Sequence, residues 1–143
     1  MTSSLLAMSG PPIVPQHFED WFASRGWSVR DHQLAMLEAA RQGEDALLIA
    51  PTGGGKTLGG FLPSLVDLAE GEHQGLHTLY ISPLKALAAD IKRNLRAPVE
   101  EMGLSIRIED RTGDTSATRK KRQRADPPHI LLTTPESLAL LTS

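Results

Sequence analysis

The residues whose types and spacing carry the clearest chemistry are Ala50-Pro51-Thr52-Gly53-Gly54-Gly55-Lys56-Thr57. Consecutive glycines let successive backbone N–H groups turn toward one point, an approach to an anion that a β-carbon would obstruct. Lys56 brings a cationic arm that can reach β- and γ-phosphates, and Thr57 a hydroxyl that can ligate Mg²⁺. This spacing predicts a nucleoside triphosphate site. Pro51, Thr52, Gly53, Gly54, Gly55, Lys56 and Thr57 bind the nucleotide, Lys56 and Thr57 act on the phosphates, and Thr57 is the metal ligand. Ala50 occupies the position where the strict phosphate-loop pattern has glycine, which argues against a small-molecule kinase and leaves the phosphate chemistry intact.

Such a loop works only between a buried strand and a helix whose N-terminus adds partial positive charge. Both flanks are legible. The apolar run Ala46–Ala50 precedes the loop. Leu58, Phe61, Leu62, Leu65, Leu68 and Ala69 follow it at helical spacing, with Pro63 expected to kink that helix. Three more runs, Thr78–Ile81, Leu104–Ile108 and Ile130–Thr133, predict strands. Between them, Leu84, Leu87, Ala88, Ile91 and Leu95 form one helical stripe, opened by Ser82 as N-cap and Pro83 at the first helical position. An earlier helix over 31–42 places Leu34, Leu37 and Ala40 on one face. Strands alternating with helices imply parallel β-α units and a layered α/β fold.

Composition bounds the function classes. The chain has 143 residues, 40% of them hydrophobic and 22% charged, enough to bury one core and unlike a disordered segment. Its longest apolar stretches are far short of a membrane span, and Met1–Gly10 lacks the basic start of a signal peptide. Zero cysteines exclude disulfides and thiolate metal sites. A cytoplasmic protein without membrane attachment is the expectation. Net charge is −2. Residues 1–90 hold five basic and ten acidic side chains, and residues 91–143 hold ten and seven, so a polyanionic partner suits the second half.

The loop has company. Ala-x-Thr-Gly-x-Gly-Lys-Thr resembles motif I of superfamily 2 helicases. Arg30-Asp31-His32-Gln33 resembles their Q motif, in which Gln33 would hydrogen-bond adenine and Arg30 stack on it. Ser82-Pro83-Leu84-Lys85-Ala86-Leu87 resembles motif Ia, Arg111-Thr112-Gly113-Asp114-Thr115 motif Ib, and Thr133-Thr134-Pro135-Glu136-Ser137-Leu138 the threonine-proline-glutamate motif that follows. The resemblance implies nucleic-acid contacts from Ser82, Pro83, Leu84, Lys85, Thr112, Gly113, Asp114, Thr133, Thr134, Pro135 and Glu136. Hydroxyls, helix starts and a lysine suit sugar–phosphate contacts without base readout. From Trp21-Phe22 to Leu138 the chain is similar to bacterial ligase-associated DEXH-box helicases of the Lhr (large helicase-related) group. That likeness implies a RecA-like P-loop domain with a parallel sheet and an ATP- and Mg²⁺-dependent 3′-to-5′ motor. It further implies single-stranded DNA as the track, with RNA left open, and a setting in DNA repair beside proteins such as a ligase.

Superfamily 2 enzymes also need an Asp-Glu pair to place Mg²⁺ and the attacking water, and this chain has no Asp-Glu dipeptide. The expected organisation is a loose leader over 1–16 and a partial motor domain 1 over 17–143, stopping before an Asp-Glu-x-His motif and inactive alone. Two other classes stay open: a non-catalytic nucleotide- or nucleic-acid-binding fragment, and another P-loop phosphotransferase. The basic run Arg119, Lys120, Lys121, Arg122 and Arg124 reads as a solvated helix face. Trp21 and Trp27 read as packing against the 31–42 helix. The five histidines show no ligand spacing, so no metal beyond Mg²⁺ is expected.

Overall fold

The computed structural model describes residues 14–48 and 56–142. The chain forms two compact units, Met1–Val66 and Asp67–Ser143.

In the first unit, α1 (Gln16–Ser24), α2 (Asp31–Arg41) and most of α3 (Lys56–Ala69) are helical. Val14 is buried and α1 begins at Gln16, both within the span 1–16 expected as a leader. Phe18, Trp21 and Phe22 make the buried face of α1, Leu37 that of α2, and Phe61, Leu62, Leu65 and Val66 that of α3. The predicted α3 stripe is the buried one. Pro63 does not end the helix, which continues through it to Ala69. Ala40, expected on the buried face of α2, is exposed, and Gln33 is buried in its place.

The run Ala46–Ala50, expected as a strand, is not one where it is described. Residues 46–48 join no ladder and Leu47 is 85% exposed. Ile49 and Ala50 lie outside the described residues, as do Pro51, Thr52, Gly53, Gly54 and Gly55. A continuous apolar strand is stable only with neighbours on its edges, and the three described strands pair with one another alone.

The second unit is a parallel sheet in the order β1-β3-β2, where β1 is Thr78–Ile81, β2 is Ile108–Arg111 and β3 is Ile130–Thr133. Ile81 and Arg111 both lie in register with Thr133. Central β3 is buried at all four residues, whereas Leu79 and Ile81 of edge strand β1 are partly exposed. The third strand sits at 108–111 rather than at the predicted Leu104–Ile108. Leu104 N–H instead closes the end of α4 (Lys85–Glu101) on Val99 O, and Arg107 N–H donates to His129 Nδ1. The alternating apolar residues lead into the strand, and the ladder falls on the charged Glu109-Asp110 that follows.

Those carboxylates are matched by α5 (Ala117–Ala125). Arg122 and Gln123 donate to Glu109, and Arg119 donates to Asp110. Lys92 of α4 reaches Asp110 and Arg107 reaches Glu109. The basic run is therefore partly a set of ion pairs, not a purely solvated face. Burial pushes both carboxyls up, but the hydrogen bonds and charges of these partners outweigh it. Both titrate below their ordinary values of 4.5 and 3.8.

Helix α4 also begins later than predicted. Ser82 Oγ accepts from Leu84 N–H, a turn ahead of the helix, and the first helical residue is Lys85. Ala88, Ile91 and Leu95 of its stripe are buried, while Leu84 and Leu87 are exposed. The last helix, α6, is Pro135–Thr142.

Candidate nucleotide site and strand-end motifs

Helix α1 ends through Gly26 at φ +73°, a left-handed conformation that costs a glycine little. Gly26 N–H bonds Ala23 O and Trp27 N–H bonds Phe22 O, a Schellman turn that folds Trp27 back. Its ring meets Trp21 edge-on at 5.8 Å, and the Arg25 guanidinium lies 5.4 and 5.9 Å from the two ring centres. Trp21, Arg25 and Trp27 thus form a cluster in which Trp21 is buried and Trp27 stays 51% exposed.

That exposed ring lines a cavity of about 490 Å³ together with Phe22, Ser28, Arg30, Gln33 and Leu58. Arg30 precedes α2, and Gln33 lies in its first turn. Gln33 Oε1 accepts from Arg30 N–H at 2.8 Å, tying the two Q-motif residues together. The cavity also meets the start of α3. A β-carbon on Gly59 would stand 3.0 Å from Leu48, 3.3 Å from His32 and 3.6 Å from Gln33. Glycine there lets the helix that Lys56 opens approach the residues that would read the base. Thr57 is half-buried in its first turn. A flat aromatic wall, an arginine and a carboxamide fit a purine base.

In the second unit, parallel pairing brings three sequence motifs to the C-terminal ends of adjacent strands. Ser82 follows β1, Thr112 follows β2 and Thr134 follows β3. Their hydroxyls are largely spent inside the protein. Thr133 is fully buried and donates to Arg111 O at 2.7 Å, while Ser82 N–H donates to Thr133 O at 2.9 Å. Thr112 Oγ1 accepts from Asp114 N–H, and Thr115 Oγ1 accepts from Thr112 N–H. Thr134 Oγ1 caps α6 through Ser137 N–H. These groups build the loops, and the outward members are Pro83, Leu84, Lys85, Gly113, Asp114, Pro135 and Glu136. Lys85 Nζ lies 3.2 Å from Asp114 Oδ2, which joins the Ia and Ib loops across exposed surface.

Residues 30–143 match the DEAD/DEAH box helicase family. The chain belongs to that family. Among DEAD/DEAH box relatives, the Lhr helicase of Mycolicibacterium smegmatis is 42% identical over 85% of this chain and 9% of its own length. The ATP-dependent helicase Lhr-Core of Methanocaldococcus jannaschii is 36% identical over 90% of this chain and 17% of its own. The structure of Mycobacterium smegmatis helicase Lhr bound to ssDNA and AMP-PNP superposes with a TM-score of 0.75. It is 41% identical, covering 93% of this chain and 18% of that one. The chain therefore spans under a fifth of these relatives. No helix among the described residues is long and apolar enough to cross a membrane.

Proposed function

We propose that this chain provides the ATP site and part of the DNA track of an ATP-dependent motor that moves 3′ to 5′ on single-stranded DNA, in the setting of DNA repair. What carries the reading is the pairing of Arg30 and Gln33 on one cavity beside the helix that Lys56 opens, in a chain 41% identical to an Lhr helicase captured with ssDNA and AMP-PNP. On this reading Trp27 and Arg30 flank the adenine and Gln33 bonds its edge. Residues 51–55 wrap the phosphates, Lys56 neutralises them, and Thr57 holds Mg²⁺. Bound ATP supplies the phosphoryl group, and phosphoryl transfer depends chiefly on this positioning and charge.

Lys85, the Gly113 backbone and the start of α6 would lie along the sugar–phosphate chain, contacting it without reading bases. In the full-length protein, Lys56→Ala should abolish DNA-stimulated phosphate release while circular dichroism shows an intact fold. Ordinary turnover in a folded Lys56→Ala protein would overturn the reading. Because the 143 residues hold no Asp-Glu dipeptide, the isolated chain should show no DNA-stimulated turnover.

A further inference from the structure

The connection from α3 to β1 gathers a set of groups that the nucleotide and strand-end motifs do not use. Asp67, in the last turn of α3, His73 in the loop and His77 just before β1 place one ligand atom each within 4.8 Å of one another. The expectation of no ligand arrangement among the histidines thus fails. The sequence shows a His-x₃-His spacing, but only the turn of the chain brings Asp67 to it. We propose that Asp67, His73 and His77 form a binding site for a divalent transition metal of the zinc type.

Three observations converge on it. First, the donor set is two imidazoles and one carboxylate, the borderline combination that zinc takes in three-ligand sites completed by water. Second, the groups already share protons where a metal would sit. His77 Nε2 lies 2.6 Å from Asp67 Oδ2, and His73 Nε2 lies 3.0 Å from Asp67 O. A cation entering between the ring nitrogens and the carboxylate displaces those protons, each of which moves to Nδ1 of a neutral imidazole or leaves to solvent from a protonated one. Third, the surroundings hold the ligands in place. Thr78 Oγ1 lies 2.7 Å from His77 Nδ1, the outer contact that fixes a ligating imidazole's orientation. His129 accepts Arg107 N–H at Nδ1, so its proton is on Nε2, which donates to His73 O and pins the loop to the sheet.

Tetrahedral bonds to zinc would draw the three atoms to about 3.3 Å apart, a modest closure for an exposed loop. Asp67 is 61% exposed, which leaves the fourth position to water. The site adjoins the N-terminal end of β1, whereas the Ser82, Thr112 and Thr134 loops follow the C-terminal strand ends. Its role is to fasten the α3–β1 connection.

The test uses the full-length protein, stripped with chelator and titrated with zinc chloride by calorimetry. Wild type should bind one more equivalent than Asp67→Asn or His77→Ala, or bind it at least tenfold more tightly, while His17→Gln behaves as wild type. Cobalt(II) should give a tetrahedral d–d band that zinc bleaches and Asp67→Asn lacks. Asp67→Asn is near-isosteric and exposed, so it keeps the test valid if His77→Ala fails to fold. Equal zinc stoichiometry and affinity in wild type and folded Asp67→Asn, or equal losses in His17→Gln, would overturn the proposal.

Discussion

Gln33 is 2% exposed, and its side chain lines the cavity proposed to take the base, so on that reading its amide serves two ends. Oε1 holds Arg30 N–H, and on the proposed reading the carboxamide also meets the N6 donor and N7 acceptor of adenine. Two variants separate these tasks. Gln33→Glu keeps the acceptor for Arg30 but loses the donor to N7. It should narrow the ATP-to-GTP preference about tenfold, near 1.4 kcal/mol, and the buried carboxyl should also lower the melting temperature. Gln33→Ala should lose both selectivity and about 1 kcal/mol of stability. Steady-state kinetics with both nucleotides, beside thermal melts, decide between a base reader and a plain helix cap. An unchanged nucleotide ratio in Gln33→Glu would leave the cap alone.

At the scale of elements, β2 exchanges apolar burial for ion pairs. Glu109 and Asp110 sit on a strand covered by α4 and α5, with Lys92, Arg107, Arg119 and Arg122 closing on them. Their carboxyls titrate below ordinary values, so the folded state favours the ionised form. That contribution is fully present above the unfolded-state values of 4.5 and 3.8 and is lost as pH falls through the lower folded-state values. Urea unfolding of the full-length protein should show the unit that carries β2 weakening below about pH 4. At pH 7, Asp110→Asn should cost about 1.5–3 kcal/mol, the worth of hydrogen bonds to a charged group. As pH falls through the lowered folded-state value the difference should shrink toward zero. A gap that does not narrow as the pH falls would assign the cost to packing instead.

Across the whole molecule, charge and strand direction reinforce one another. The acidic excess lies in residues 1–90 and the basic excess in 91–143, and within the second unit parallel pairing collects the outward motif residues at one end of the sheet. Lys85 is an exposed cation there, in a solvent-facing pair with Asp114, which is worth under about 1 kcal/mol. Lys85→Ala in the full-length protein should weaken single-stranded DNA binding about equally on all sequences. It should also lower the slope of log affinity against log salt by about 0.7, one phosphate's worth. Asp114→Asn, which frees the lysine, should strengthen binding. Fluorescence anisotropy across a salt series measures both, and a sequence-selective loss would rule out backbone contact.

The sequence by itself determined what depends on local chemistry. Gly53-Gly54-Gly55-Lys56-Thr57, from which phosphate binding is proposed, was legible because its residues are contiguous in sequence. The Leu58–Ala69 stripe and the runs 78–81 and 130–133 were legible, because burial of one face imposes its period wherever the partner lies. Tertiary structure decided what depends on distant partners. Strand β3, last in sequence, lies between β1 and β2. The strand after α4 falls on Glu109-Asp110 because cations from α4 and α5 neutralise charges that composition alone would place in solvent. Thr133 and Thr112, outward in a linear reading, turn inward because strand ends that pack together must satisfy their own backbone groups. Asp67 meets His73 and His77 only because the chain reverses between α3 and β1, a proximity that no spacing along the chain encodes.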